Sequence, residues 1–204
     1  MQLSKSDIAS SIERLRDDVD YYGTFGKQFL SNSDVGALLS NPREFRVSRP
    51  DNQAFAKGRY FHQSLLEPEK LKDWEFVDSY SRNTNAYKQA VAESGKEVLM
   101  LNKEKEEMDA LVEIMTSNFE LYEQMYLNGN EFEVPGVKQF NGVWWKGKAD
   151  IISNDCIIDL KTTSNILDFR YSAKKYNYDS QCYIYQNIFG KPDTLESYII
   201  RETL

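Results

Sequence analysis

Three strand-like runs in the second half of the chain constrain the fold more than any other feature. They span residues 131–140, 143–153 and 156–161, and Asn141-Gly142 and Asn154-Asp155 separate them. Asn-Gly between two extended runs favours a two-residue hairpin, because both residues accept positive φ values. The sequence therefore predicts an antiparallel meander.

Helical patterns surround this meander. Apolar spacing predicts helices over residues 52–66, 103–127 and 168–189. Ser31 or Ser33 stands where the N-cap of a further short helix belongs. Residues 74–77 and 197–200 read as short strands. This order predicts an α+β fold, with helices packed on a central mixed sheet that contains the meander.

Composition limits the class of protein. The 204 residues, 41% of them hydrophobic, suffice for one core, so a single domain is predicted. The two cysteines are too few for a disulfide framework, an iron–sulfur cluster or a structural zinc site. Neither a signal peptide nor a run of about 20 apolar residues is present, which predicts a cytoplasmic protein without a membrane partner. The net charge of −7 argues against a protein that coats nucleic acid, so any DNA contact must be local.

Asp150, Asp159 and Lys161 are the candidate chemical centre. Alternate side chains of a strand share a face, so Asp159 and Lys161 are expected to point the same way. Asp150, at the end of the preceding strand, can approach Asp159. Carboxylates held close together repel each other, and a divalent metal removes that conflict. The pattern predicts Mg²⁺ on Asp150 and Asp159, with Lys161 positioning a water molecule for phosphodiester hydrolysis.

A solvated edge hairpin is the alternative, because a D-x-K tripeptide is common by chance. The apolar strand that runs directly into Asp159, and the Asp that ends the strand before it, favour the metal site. Residues 142–149 nearly spell a phosphate-binding loop, but Ala149 replaces the Ser or Thr that would coordinate Mg²⁺, and the segment reads as a strand. ATP binding is therefore not expected.

Four further segments match a known pattern. They are residues 29–45, the G-x-x-x-H helix from Gly58 to His62, the acidic strand position at Glu133, and Q-x-x-x-Y from Gln181 to Tyr185. With Asp150 and Asp159-Leu-Lys161, they resemble the PD-(D/E)xK nuclease superfamily. The resemblance is to its RecE-like phage exonuclease branch, related to lambda exonuclease and RecB-type nuclease domains, and implies a restriction-endonuclease-like α/β core.

The resemblance implies roles for several residues. His62 would be a third metal ligand beside Asp150 and Asp159, and Glu133 an accessory ligand, with Glu131 as its rival. Gln181 and Tyr185 lie four residues apart on one helix face and would support the substrate or the catalytic Lys161, unless they only pack. Lys146 and Lys148 are expected to alternate outward beside Asp150. Phosphate contacts are expected at Ser33, Arg59, Lys146, Lys148 and Lys174 or Lys175, with solubilising charges as the alternative.

The resemblance also implies a function. It is an exonuclease that uses Mg²⁺, or Mn²⁺ in its place, needs no ATP, and digests linear duplex ends in phage-type recombination or DNA processing. A single-strand annealing protein is the expected partner, a homo-oligomer is open, and a phage-encoded enzyme would act in the host cytoplasm. The alternatives are an endonuclease with the same centre and a non-catalytic module that binds DNA ends. Within residues 1–204, the expected parts are a helical entry segment (1–50), a helical part with His62 (51–130), and the catalytic sheet with the Q-x-x-x-Y helix (131–204).

Overall fold

The computed structural model describes residues 3–48, 50–163, 165–191 and 199–201. These residues form two compact units. Unit 1 contains the described parts of Met1–Val47, Leu127–Leu160 and Asn165–Ile199. Unit 2 contains those of Ser48–Tyr126, Lys161–Ser164 and Ile200–Leu204. The single-domain organisation over residues 1–204 stays a prediction.

Helices predominate in the first part of the chain, and the two longest strands, β3 and β4, follow them. The helices are α1 (Lys5–Arg14), α2 (Asp18–Tyr22), α3 (Asn32–Ser40), α4 (Gln53–Leu66), α5 (Asn85–Ser94), α6 (Asn102–Ser117), α7 (Phe119–Met125), α8 (Phe169–Lys175) and α9 (Tyr178–Phe189). The strands are β1 (Phe76–Val77), β2 (Met100–Leu101), β3 (Glu131–Phe140), β4 (Val143–Ile152), β5 (Ile157–Ile158), β6 (Lys161–Thr163) and β7 (Ile199–Arg201). Short 3₁₀ segments cover Gly26–Gln28, Pro42–Glu44, Pro68–Asp73 and Ile166–Asp168. Within the described ranges, no helix is long and apolar enough to cross a membrane.

The predicted meander is present in unit 1. β3, β4 and β5 form an antiparallel sheet in that order. Asn141 and Gly142 both have positive φ values, 51° and 77°, as a tight hairpin turn requires. The α+β class predicted from the sequence is confirmed, although the described strands form three small sheets, with β1 pairing β2 in parallel and β6 pairing β7.

The third strand of the meander is shorter than predicted. The expected strand over 156–161 divides into β5 and β6, with Asp159 and Leu160 between them. The backbone N–H of Leu160 donates to Asp150 Oδ2 at 2.6 Å. Because this N–H serves a side chain, it cannot continue the strand ladder, and the regular strand stops here.

Two glycines determine where α9 lies in unit 1. Gly136 on β3 is paired with Gly147 on β4. A methyl group on Gly136 would lie 2.4 Å from Ile188, and one on Gly147 would lie 2.7 Å from Tyr185. Only the missing side chains allow the helix so close to the sheet. This face of the sheet holds a core of Ala149, Ile157, Ile184 and Tyr185.

The opposite face of β4 is covered by the N-terminal part of unit 1. Leu15, Tyr21, Phe29 and Val137 form a second buried cluster there. Gly26 is needed beside Tyr21, because a Cβ on Gly26 would lie 1.9 Å from the Tyr21 carbonyl oxygen. The N-terminal helices therefore take part in the core that supports β4.

Unit 2 is built around packed helices. α4 packs against α6, and a small core of Val77, Tyr87, Leu99 and Leu101 lies under α5. Two ion-paired hydrogen bonds join Arg82 to the buried carboxylate of Glu104, at 2.7 and 2.6 Å. Despite the cost of burial, the guanidinium holds the pKa of the Glu104 carboxyl below its ordinary value.

Several predicted helices are confirmed with corrected ends. Asn52 caps α4, as expected from its helical run. The predicted helix over 103–127 breaks at Asn118, which caps α7, and the one over 168–189 breaks at Asn177, whose φ is +54°. Ser31, not Ser33, is the N-cap residue of α3. Part of the last predicted strand, at 197 and 198, lies outside the described residues.

Candidate active site

Glu133 and Asp150 face each other across the β3–β4 pair. The register pairs Phe132 with Ile151 and Val134 with Ala149, which sets Glu133 opposite Asp150. A carboxylate oxygen of each lies within 4.8 Å of the other. Glu133 has a φ of +49°, a left-handed conformation that costs a non-glycine residue on the order of 1 kcal/mol. Glu131 is exposed and paired with Ile152, so the geometry favours Glu133 over Glu131 as the acidic partner of Asp150.

Asp159 is the second buried carboxylate of the predicted centre. It is 4% exposed, and Asp150 is 9% exposed. Gln181 on α9 donates from Nε2 to Asp159 Oδ1 at 2.7 Å. Since Asp150 bonds the N–H of the next residue, Leu160, Asp150 lies beside the Asp159–Leu160 backbone, as predicted. Unit 1 thus gathers Glu133, Asp150, Asp159 and Gln181 at one end of the sheet.

Lys148 lies on the same face of β4 as Asp150. Its ammonium is 2.5 Å from Asp18 Oδ1 and 3.9 Å from Glu133 Oε2, and its side chain is 9% exposed. Tyr185 on α9 donates its hydroxyl to the backbone carbonyl of Lys148 at 2.8 Å. Asp18 and Tyr185 thus hold β4 at Lys148, two positions before Asp150.

Lys146 is buried, and the prediction that Lys146 and Lys148 point outward is wrong. Lys146 is 6% exposed, its ammonium donates to the carbonyl of Tyr21, and it lies 4.1 Å from the centre of the Tyr21 ring. Burial lowers the pKa of the Lys146 ammonium to about 8. The N-terminal segment covers this face of β4, so neither ammonium is open to a phosphate in this arrangement.

Lys146 should make stability depend on pH. Its pKa is about 8 in the folded state and 10.5 in the unfolded state, so the unfolded chain binds more protons between these values. Stability must therefore rise with pH across this window, by roughly 1 kcal/mol after solvent screening. We expect Lys146→Met to be at least as stable as wild type at pH 7 and to lack this rise.

Urea unfolding at several pH values between 7 and 10 measures the effect. Lys138→Met, at an exposed position of β3, is the matched control and should keep the wild-type profile. Identical pH profiles for Lys146→Met and wild type would contradict the assignment.

Two buried tyrosines adjoin the carboxylates. Burial raises the pKa of the Tyr21 hydroxyl, and the neighbouring Tyr22, Glu133 and Asp150 raise it further. Burial likewise raises the pKa of Tyr185 well above its ordinary value, with added effects of Tyr21, Asp159 and Asp150. Both phenols therefore stay protonated and can only act as neutral hydrogen-bonding groups at neutral pH.

Unit 2 carries two other residues of the predicted centre. His62 is on α4, half-buried, with its ring edge-on to Phe61 at 6.2 Å between centroids. Lys161 is half-buried and is the first residue of β6. The chain places Lys161 two residues after Asp159.

The remaining predicted DNA contacts differ in exposure and partners. Ser33 lies in the first turn of α3, with its hydroxyl 2.9 Å from that of Ser31. Arg59 on α4 pairs with Asp51 at 2.6 Å. Lys174 and Lys175 are exposed on α8. Of the predicted phosphate contacts, Lys174 and Lys175 are therefore the best placed on an open surface of unit 1.

Comparisons with known proteins agree with this architecture. The family model described as "PDDEXK-like domain of unknown function (DUF3799)" matches residues 28–200. The chain belongs to this family. No curated protein matches it. Among solved structures, a protein called "Putative exonuclease" from Eubacterium rectale is similar, with 18% identity and a TM-score of 0.55 over 92% of this chain and 67% of that one. At this identity, the likeness shows the fold.

Membership of the PDDEXK-like family confirms the superfamily predicted from Asp150 and Asp159-Leu-Lys161. In this PDDEXK-like chain, three buried or half-buried carboxylates offer the hard oxygen ligands that suit a divalent cation. Like charges as close as Glu133 and Asp150 repel each other, and the Lys148 ammonium, which is also paired with Asp18, compensates only part of that charge. The donor set therefore fits a divalent metal ion.

Sequence reasoning missed the residues that support this centre. Tyr21 and Asp18 reach β4 from more than 120 positions away along the chain. A glycine at position 26 is compatible with a close approach of another backbone segment, but only the structure shows that this segment is at Tyr21. Leu160 contributes through its backbone N–H, which no side-chain pattern can reveal.

Proposed function

We propose that this chain is a Mg²⁺-dependent, ATP-independent exonuclease that hydrolyses phosphodiester bonds at the ends of linear duplex DNA. Membership of a PDDEXK-like family and a fold shared with a protein called an exonuclease support a nuclease. The single observation that carries the proposal is the gathering of Glu133, Asp150 and Gln181-bound Asp159 at one end of the sheet. Mg²⁺ as the metal, linear duplex DNA as the substrate and attack from the ends are the proposed details of this nuclease.

Asp150 and Asp159 are the proposed ligands, with Glu133 as an accessory ligand. His62 is a further proposed ligand on the strength of its G-x-x-x-H motif. When bound, Mg²⁺, or Mn²⁺ in its place, would neutralise charge on the scissile phosphate and make water a better nucleophile at neutral pH.

The protein's own groups have distinct proposed roles. Lys161 would orient the attacking water and stabilise the charge that builds on the phosphate. Gln181 holds Asp159 by its 2.7 Å hydrogen bond, so that the carboxylate keeps one orientation. Tyr185 fixes β4 through the Lys148 carbonyl. Ser33, Arg59 and Lys174 are the proposed phosphate contacts outside this centre.

The proposed cellular role is phage-type recombination or other DNA processing in the cytoplasm. Digestion of one strand of a duplex exposes the other, which is the substrate that a single-strand annealing protein needs. A homo-oligomer would add processivity if it enclosed the DNA.

Digestion of two DNA substrates tests the proposal. One is a linear duplex labelled at a single 5′ end, with and without a 5′ phosphate, and the other is a closed circular duplex. With Mg²⁺ or Mn²⁺, we expect the linear duplex to shorten progressively from its ends and the circle to stay intact. Cutting of the circle would instead assign the same centre to an endonuclease. Binding of linear ends without any cleavage would favour a non-catalytic module.

A further inference from the structure

A basic and aromatic surface lies on unit 1 around α8. The exposed side chains there are Arg170, Tyr171, Lys174, Lys175 and Tyr176, and we call them the α8 platform. The helix itself, Phe169–Lys175, contains three cations and no acidic residue, whereas the whole chain has a net charge of −7. The exposed Asp168 and Asp179 flank this segment, and the three cations still outnumber these two carboxylates. A local excess of positive charge on an acidic protein favours a polyanionic partner.

Stacked rings support one end of the platform. The ring centroids of Phe169 and Tyr178 are 5.9 Å apart, and those of Tyr178 and Tyr176 are 6.0 Å apart with an interplanar angle of 27°. The row ends at Tyr176, which is 54% exposed. An unstacked base can extend such a row, because every base has a π-face.

Cations adjoin both exposed rings. The Lys175 ammonium lies over the Tyr176 ring, 5.2 Å from its centre, at the end of a flexible side chain that a stacking base can displace. Arg170 lies over the Tyr171 ring at 4.6 Å and donates to its hydroxyl at 2.6 Å. Tyr171 is 59% exposed. Rings for bases with ammonium or guanidinium groups beside them for phosphates are the two components of single-strand recognition.

We propose that the α8 platform binds single-stranded DNA by stacking bases on Tyr171 and Tyr176 and pairing phosphates with Lys174 and Lys175. A duplex fits less well, since its base faces are already covered by neighbouring base pairs. This inference rests on the proposed nuclease function for the choice of DNA as partner.

The platform is connected directly to the proposed centre within unit 1. Tyr178 is three residues before Gln181 on α9, which is roughly 4.5 Å along the helix axis. Gln181 in turn bonds Asp159. The platform and the carboxylates are therefore linked through the first turn of α9. The platform would hold the strand that enters or leaves the site.

Binding of a fluorescein-labelled oligothymidylate of about 15 nucleotides tests this proposal. Fluorescence anisotropy is measured in EDTA, so that cleavage does not interfere. We expect Tyr171→Ala and Tyr176→Ala each to weaken binding about tenfold. Tyr171→Phe and Tyr176→Phe should bind nearly as wild type, because stacking needs the ring and not the hydroxyl. Tyr80→Ala, at an exposed tyrosine of unit 2, is the matched control and should have no effect.

A second probe separates stacking from charge. An oligomer of equal length with abasic sites keeps the phosphates but lacks the bases, so wild type should bind it more weakly than oligothymidylate. The Tyr171→Ala/Tyr176→Ala double variant should bind the two oligomers equally. Replacing Lys174 and Lys175 with Gln should reduce the slope of log affinity against log salt by about 1.4.

Equal binding of the two probes by wild type, or wild-type affinity in the tyrosine-to-alanine variants, would overturn the platform. Circular dichroism of each variant checks that the fold is kept. The platform and the nuclease can fail separately, because this assay contains no metal. A protein that binds as expected but never cleaves DNA would refute only the nuclease, and one that cleaves with unaltered binding in these variants would refute only the platform.

Discussion

Lys161→Ala is expected to reduce DNA cleavage by about 10³-fold while the protein still folds and binds Mn²⁺. A positioned proton-transfer or charge-stabilising group contributes about 10²–10⁴-fold to a hydrolytic rate. Lys161 is half-buried at the start of β6. Single-turnover digestion of end-labelled linear duplex measures the rate.

Two further variants define the role of Lys161. Lys161→Arg keeps the positive charge, but its guanidinium is wider and cannot be deprotonated at accessible pH. We expect it to recover part of the activity if charge is the main contribution and almost none if the amine orients or deprotonates water. Lys138→Ala, at an exposed strand position of β3, is the control and should cleave normally. Wild-type cleavage by Lys161→Ala would remove this residue from the mechanism.

The β3–β4 hairpin could be predicted closely from sequence, and the reason is local. The predicted range of β3 is the observed one, and the predicted range of β4 differs from the observed one by one residue at its end. Both strands have extended patterns, and Asn141-Gly142 is the dipeptide that tolerates the two positive φ values of a tight turn. These signals are local, so the hairpin can be predicted without knowledge of distant contacts.

Two predicted helices end at asparagines, and one predicted strand ends where a backbone N–H donates to a side chain. Asn118 and Asn177 divide two predicted helices, since asparagine can cap a helix or adopt the left-handed region. The sequence contains those signals, but the apolar periodicity across each asparagine predicts one continuous helix. The break between β5 and β6 had no such signal, because it follows from a hydrogen bond between Asp150 and Leu160.

The surroundings of the candidate site could be predicted only in part. Asp150, Asp159 and Gln181 were identified from motif positions, and the structure brings them together in unit 1. The orientation of Lys146 and Lys148 was predicted wrongly, because lysines on a strand are usually solvated. Here Tyr21 and Asp18 cover that face. Contacts between segments so far apart in sequence cannot be read from local patterns.

Asp150→Asn is expected to separate folding from metal binding. The amide oxygen can still accept the hydrogen bond from the Leu160 N–H, so the strand geometry is kept. The variant lacks the negative charge that faces Glu133. The repulsion between these two side chains, which destabilises the metal-free folded state, is therefore reduced. Without metal, the variant should therefore be at least as stable as wild type.

Added metal should reverse this order. A ligand at about 100 times its Kd stabilises a protein by about 2.7 kcal/mol, so wild type should show a clear rise in Tm with Mn²⁺. Asp150→Asn should show little or no rise in Tm with Mn²⁺. Its cleavage activity should fall by about 10³-fold, because the proposed metal ligand is lost and with it the positive charge that the metal would supply. Thermal unfolding with and without Mn²⁺, together with calorimetric titration, measures both effects.

Asp155→Asn is the matched control for the same chemical change. Asp155 is exposed in the turn between β4 and β5, five residues from Asp150. Its variant should keep the Mn²⁺-dependent rise in Tm and the cleavage activity. A metal response in Asp150→Asn equal to that of Asp155→Asn would mean that the buried carboxylates stabilise the Asp159–Leu160 backbone and do not bind metal. The difference in stability between Asp150→Asn and wild type is expected to change sign when Mn²⁺ is added. A purely structural role for Asp150 predicts no such change of sign, so this test separates the two roles.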